Sequence, residues 1–281
     1  MKEIKNQRYG EERALYNAKD IKLISCSFEG IEDGESALKE GENIELDRCL
    51  MRLRYPFWHD TNLIINNSDL TDTCRAALWY SKNIEINNTK LHGIKALREC
   101  KNIKMDNVDV ISNEFGWKNK NIKMTNSKVE SEYLFFLSEN IELDHFTLNG
   151  KYSFQYVKGM KITNSVLKTK DAFWHTDNVT VENSIIEGEY LAWYSSNLTL
   201  INCKIIGTQP LCYCKNLKLI NCEMVNCDFA FEYSEVQADT TGTILSIKNP
   251  ISGIIMYEDC NEIILKDSKY PLNAQIIKKN K

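Results

Sequence analysis

From residue 83 to residue 222 one seven-residue phrase recurs at a fixed interval of 19 residues. It reads Asn-Ile-Glu-Ile-Asn-Asn-Thr at 83–89, Asn-Ile-Lys-Met-Asp-Asn-Val at 102–108 and Asn-Ile-Lys-Met-Thr-Asn-Ser at 121–127. It restarts at Asn140, Gly159, Asn178, Asn197 and Asn216. Self-similarity of fixed period marks a solenoid, in which each repeat packs only on its neighbours. A two-helix repeat would need a longer unit, and a helix would space its apolar residues by 3.6. Here they alternate, as in Ile84/Ile86, Ile103/Met105, Ile141/Leu143 and Val179/Val181. A period of two is a strand with one buried face.

Two columns carry the bends. The opening position is Asn83, Asn102, Asn121, Asn140, Asn178, Asn197 and Asn216, with Gly159 as the exception. Asn and Gly share a tolerance of positive φ, which predicts a left-handed residue there. The sixth position holds Asn67, Asn88, Asn107, Asn126, Asn164, Asn183, Asn202 and Asn221, with His145 as the exception. Amides stacked at one repeat spacing can bond along the pile, so this column is expected to be a structural ladder of buried amides. A second apolar position follows (Leu70, Leu91, Val110, Val129), then a small-residue turn (Gly93, Ser112, Ser131, Gly188, Gly207). A third apolar run precedes the next Asn, such as Phe57-Trp58-His59 or Phe173-Trp174-His175. Three short strands per coil describe a single-stranded parallel β-helix of about 12 coils. It is read as right-handed by analogy with the commoner single-chain β-helices.

Length and composition agree with one elongated domain over residues 1–281: an N-terminal cap at 1–19, regular coils at 20–222, and irregular coils and tail at 223–281. Solenoid ends are expected to be atypical. Ile244–Ile247 and Ile263–Leu265 read as final strands, and the Lys-rich tail at 278–281 is expected to fray. The first 19 residues hold no apolar leader, and no apolar run is long enough to span a membrane, which predicts a cytoplasmic protein. The net charge of −4 is spread along the chain, an argument against nucleic acid or membrane as main partner. Of the ten cysteines, Cys49, Cys203 and Cys222 share a repeat position with Ser68, Thr89, Ser127, Ser165 and Ser184. Cysteine is used there as a small buried residue, and the thiols are expected to be reduced. Cys212-Tyr213-Cys214 lacks metal or redox spacing, so neither metal nor cofactor is expected.

The segments Tyr55-Pro56-Phe57-Trp58-His59, Ala77-Leu78-Trp79-Tyr80-Ser81-Lys82-Asn83 and Leu97-Arg98-Glu99-Cys100-Lys101-Asn102 resemble a bacterial family of uncharacterised proteins, domain-of-unknown-function family 3737. The resemblance covers most of the chain. It implies the pectin-lyase-like β-helix architecture and transfers no catalytic residue. Enzymes acting on polysaccharides are common on that architecture, which is an analogy of fold alone.

All five tryptophans, Trp58, Trp79, Trp117, Trp174 and Trp193, stand four residues before an opening Asn. Arg98, Phe136, Gln155 and Cys212 fill the same column elsewhere, and the preceding residue is apolar throughout. Adjacent strand residues face opposite ways, so one of the two columns lies outside, and Arg98 and Gln155 point to the tryptophan column. Three readings stay open. The stripe is a surface covered by a second subunit, a platform for sugar rings or similar flat ligands, or an inward column. Small residues two positions before the indoles (Pro56, Ala77, Ala96, Ala172) are expected to leave a shallow groove beside it.

Catalytic candidates are thinner. His59 with Asp60, and His175 with Asp177, place an imidazole near a carboxylate. Tyr80, Tyr156, Tyr194 and Tyr213 occupy the same column as the two histidines, so turn filling explains them better. Arg98 and Glu99 interrupt the aromatic column and form its most distinctive polar spot. Polysaccharide cleavage needs converging carboxylates, and the columns Glu85, Lys104, Lys123, Glu142 and Asp69, Lys90, Asp109, Lys128 mostly alternate in sign instead. The sequence therefore predicts a non-catalytic binding or scaffold β-helix. A carbohydrate-active enzyme working at the Trp/Arg98/His face is the alternative.

Overall fold

The computed structural model describes residues 1–30 and 34–280. The fold is an all-β parallel solenoid of about 14 turns with a period of about 19 residues, and no helix occurs among the described residues. It comprises two compact units, Met1–Glu142 and Leu143–Lys281. The two turns beyond the expected 12 come from the ends, where the Asn marker is missing. Lys2–Lys5 already pairs in parallel with Lys19–Ile24, so the expected cap is a coil. At the far end Glu235–Thr241 pairs with Ser252–Tyr257, and that strand with Gln275–Lys278. The tail is paired through Lys279, whose N–H donates to the Tyr257 carbonyl. Lys281 lies outside the described residues.

In the first unit each coil after the first contributes a six-residue strand, such as Thr61–Asn66, Lys82–Asn87, Lys101–Asp106 and Lys120–Thr125. A shorter second strand follows, such as Lys90–Leu91 or Asp109–Ile111. The register is one repeat throughout: Ile84 sits beside Ile103, and Ile103 beside Ile122. The alternating apolar residues all enter the core, where Ile84, Ile86, Ile103 and Met105 are buried. Burying such side chains contributes about 1.5–3 kcal/mol each. The second unit repeats the plan, with Lys158–Thr163, Asp177–Glu182 and Ser196–Ile201 in register and Val179, Val181, Leu198 and Leu200 buried.

Small buried polar groups tie coil to coil just inside the bends. The Ser68 hydroxyl accepts the Cys49 N–H (3.0 Å) and donates to the Asn66 carbonyl (2.7 Å). Ser127 does the same for Val108 and Thr125, and Ser165 for Phe146 and Thr163. Cysteines in this column donate weakly instead, Cys203 to the Val181 carbonyl and Cys222 to that of Leu200. This is why Ser, Thr and Cys exchange there. In the small-residue column Gly207 has φ +136°, and a Cβ on it would lie 2.0 Å from the Gly188 carbonyl oxygen.

The third side departs from the expected strand. Among the described residues of the regular coils only Leu78–Trp79 and Leu97–Arg98 pair as a short ladder, with single bridges such as Arg98 to Trp117 besides. Elsewhere it is a corner of alternating left-handed residues, for example Tyr133 (φ 57°), Phe135 (φ 54°) and Leu137 (φ 56°), or Tyr190, Ala192 and Tyr194 (φ 55°, 63°, 61°). A coil this short closes its circuit only by bending at nearly every other residue. Each bend still finds a cross-coil partner, because successive N–H groups point alternately to one neighbour and the other. Phe135 donates to the Phe115 carbonyl of the coil before, and Lys118 to the Phe136 carbonyl of the coil after. The alternation also turns two consecutive residues inward. Phe57, Leu78 and Phe173 are buried, and so are Ala77, Ala96 and Ala172 beside them. The expected groove beside the indoles is absent because these alanines fill the core.

Candidate functional site

The five tryptophans, with Arg98, Phe136 and Gln155, stand on the outer side of that corner, half-buried, and the next residue is exposed in each of these coils; Cys212 in the same column is buried. In the first unit it forms one stack of flat groups. The rings of Trp58 and Trp79 lie 4.8 Å apart and 4° from parallel. The Arg98 guanidinium then inserts between two indoles, 4.8 Å from the Trp79 centroid and 4.7 Å from that of Trp117. Phe136 follows at 5.1 Å, tilted by 47°, and the Lys39 ammonium caps the free face of Trp58 at 5.3 Å. A cation over an indole contributes about 0.5–2 kcal/mol, more as it is desolvated. Arg98 also pairs with Glu114 (3.2 Å), rather than with Glu99, which is exposed beside it.

Every indole N–H is already committed. Trp58 donates to the Ala76 carbonyl, Trp79 to that of Lys95, and Trp117 to that of Tyr133, at 2.7–2.8 Å. In the second unit Trp174 donates to Tyr190 and Trp193 to Gln209, and the two rings stack at 5.5 Å and 4°. The Gln155 amide makes the equivalent bond to the Asp171 carbonyl, which explains how Gln replaces Trp. The column is thus a repeated device: a flat group laid over the next coil and pinned to the carbonyl of its left-handed corner. In the first unit its ring faces are covered by the neighbouring groups of the stack, which leaves ring edges to look outward.

The neighbouring exposed column carries a second stack. His59 lies on Tyr80 at 5.0 Å in the first unit. In the second, Tyr156, His175, Tyr194 and Tyr213 follow one another at 4.7–5.1 Å, with interplanar angles of 14° or less. The two histidines therefore act as flat rings among tyrosines. Neither makes an acid/base pair with the carboxylate named beside it. Asp60 turns inward and is fully buried, while Asp177 accepts the Asn197 amide at 2.8 Å. Among the described residues no three His, Cys, Asp or Glu side chains group as a metal site.

Asp60 is a functional-type residue that the sequence pattern placed wrongly. One carboxylate oxygen accepts the Gly41 N–H at 2.9 Å and the other has no partner. Burial pushes its carboxyl up to about 8, against the opposing pull of backbone N–H groups. Its column continues as Ser81, Cys100, Asn119 and Ser138, all buried. Burial likewise raises the Cys100 thiol to about 12, so it is inert. Only recognition of that column as an inward one could have identified Asp60 from sequence.

The sixth-position asparagines do bond between coils, but at exposed corners rather than in the core. Asn107 donates to Asn88 at 2.8 Å, Asn202 to Asn183 at 3.2 Å and Asn221 to Asn202 at 3.0 Å. Asn67, Asn126 and Asn164 reach a neighbouring aspartate instead. The longer ladder is the opening column, where Asn62, Asn83, Asn102, Asn121 and Asn140 each donate to the preceding coil at 2.8–3.1 Å. Both columns have the positive φ that selects Asn. Exposure follows from the bend itself, since a left-handed residue at a corner turns its side chain away from the core.

Comparison with solved structures finds β-helix proteins at low identity. A surface adhesin of Streptococcus pneumoniae, PfbA, is 10% identical with TM-score 0.35, covering 87% of this chain and 70% of its own. The A-module of the mannuronan C-5 epimerase AlgE4 of Azotobacter vinelandii is 9% identical with TM-score 0.33, covering 98% and 88%. DFA-IIIase of Arthrobacter chlorophenolicus A6 is 9% identical with TM-score 0.37, covering 96% and 74%. No curated protein sequence matches. Residues 2–277 match a single family described as a protein of unknown function, and the chain belongs to that family, DUF3737.

Proposed function

We propose that the protein is a non-catalytic β-solenoid that works by contact, and that the aromatic–cationic face of its first unit receives a second copy of the chain. The observation that carries this reading is the state of the indoles. A sugar platform presents open ring faces and free donors, whereas Trp58, Trp79 and Trp117 have their faces stacked and their N–H groups bonded within the chain. What remains outward is a rigid surface of ring edges with exposed apolar neighbours: Tyr80, Ile94, Tyr133 and Leu137. Flat, aromatic, donor-poor surfaces with an arginine suit protein–protein contact.

Among the described residues the side-chain geometry gives the enzymatic alternative no support. The candidate imidazoles stack on tyrosines, and carboxylates on the strand faces are largely paired across coils, as in Lys22–Glu45 (2.6 Å), Lys120–Glu139 (2.9 Å) and Lys204–Glu223 (3.0 Å). A photo-reactive amino acid placed at Leu137 or Ile94 should cross-link two copies through this face. The same probe at Lys218, on a strand face of the second unit, should not. Equal cross-linking at both positions would remove the proposal.

A further inference from the structure

We infer that the outward face of strands Lys82–Asn87, Lys101–Asp106 and Lys120–Thr125 is a binding site for a compact molecule bearing several phosphates. Most strand-face lysines of this protein stand beside a carboxylate of the next coil: Lys19 by Glu42, Lys22 by Glu45, Lys168 by Glu187, Lys204 by Glu223. The first two of these strands break that pattern, since Lys82, Lys101 and Lys104 each meet a lysine, not a carboxylate, in the next coil. Their register places Lys82 beside Lys101 and Lys101 beside Lys120 in one column, and Lys104 beside Lys123 in another. All five are exposed. Like charges directly opposite on a sheet are destabilising. Lys120 and Lys123 lean on Glu139 and Glu142 of the following coil. Lys82, Lys101 and Lys104 have no ion pair among the described residues.

The dimensions choose the ligand. Coils are about 4.8 Å apart, so the two columns bring five lysines within roughly 10 Å along the solenoid, on either side of the left-handed residues Asn83, Asn102 and Asn121. Between the two columns runs the amide ladder Asn83–Asn102–Asn121. Each of these amides spends one N–H on the coil before, which leaves a second to donate. Carboxylates bound the patch along the solenoid: Glu85 before Lys104, and Glu139 and Glu142 beyond Lys120 and Lys123. A long polyanion following the columns would run onto those acids. The face also carries no aromatic side chain on which a base or sugar ring could stack, unlike a single-strand nucleic-acid platform. Two or more phosphates on one small molecule match the lysines and the central amides together.

Calorimetric titration of the full chain with inorganic tripolyphosphate, ATP and inositol hexakisphosphate, each at constant ionic strength, tests this. At least one should bind with one site per chain, and the three arms separate an inorganic, a nucleotide and a cyclitol source. Lys101→Gln with Lys104→Gln should weaken that binding about tenfold or more, the loss expected when charged hydrogen-bonding partners are removed. Lys168→Gln with Lys204→Gln should change it by less than about twofold. Absence of binding to all three overturns the inference. So does an equal loss in both variants, or binding only to RNA or to anionic lipid vesicles added in parallel.

Discussion

At the scale of single residues, Asp60 is the buried group whose charge state matters most for stability. Its folded carboxyl sits near 8 because burial penalises the anion, while in the unfolded chain it has an ordinary carboxylate value. A raised folded value gives stability that is fully present below the unfolded value and is lost as pH rises through the folded one. Wild type should therefore lose stability between about pH 4 and pH 8. Asn119 shows that the column accepts an amide, since its side-chain oxygen takes the Cys100 N–H at 2.7 Å. Asp60→Asn should flatten the pH dependence and raise the melting temperature at pH 8 and above, as followed by thermal denaturation across pH. A wild-type melting temperature that rises over the same range would contradict this assignment. In sequence Asp60 looks like a carboxylate beside the His59 imidazole, because neighbours along the chain look like neighbours in space. The left-handed bend at His59 (φ 63°) separates them.

At the scale of elements, the bends are a backbone device first and a side-chain ladder second. Asn126 and Asn183 are exposed, with φ of 50° and 51°. Asn183→Gly should cost little, about 0.5–1.5 kcal/mol for the bond to Asn202. Asn183→Val should cost more, because a β-branched residue is poorly tolerated at positive φ. Chemical denaturation of the two variants checks the order, and equal losses would mean that the amide, not the bend, is what the column needs. The buried hydroxyls inside the bends should matter more. Ser138 donates to the Gly116 carbonyl (2.6 Å) and accepts the Asn119 N–H (3.0 Å), so Ser138→Ala should destabilise by about 1–3 kcal/mol. The two strands of each coil were legible because alternation and register are properties of sequence spacing. The corner was not legible as such. Phe, Tyr and Leu give no sign of positive φ, and their apolar run reads like a strand until the closure of a short coil is imposed on it.

At the scale of the whole molecule, the repeat makes the solenoid readable, and its count of about 12 coils is close to the observed 14 or so, the Asn marker lapsing at the ends. The cysteines fit the same picture. All ten are free thiols, and nine are buried, with Cys260 half-exposed. Titration of native protein should therefore modify Cys260 first, and unfolding should release the other nine. Rapid native modification of several thiols would contradict the packing described. The site was half legible: sequence spacing located the tryptophan column and its outward side, but not that its planes stack edge-out along the coil direction. That arrangement is the basis for assigning the face to a second copy of the chain. Light scattering after size exclusion, across a range of concentrations, tests it most directly. Wild type should associate reversibly, and Ile94→Ser with Leu137→Ser, which removes exposed apolar side chains of that face, should give a folded monomer, since burying such a side chain contributes about 1.5–3 kcal/mol. A wild type that stays monomeric at every concentration would contradict the assignment.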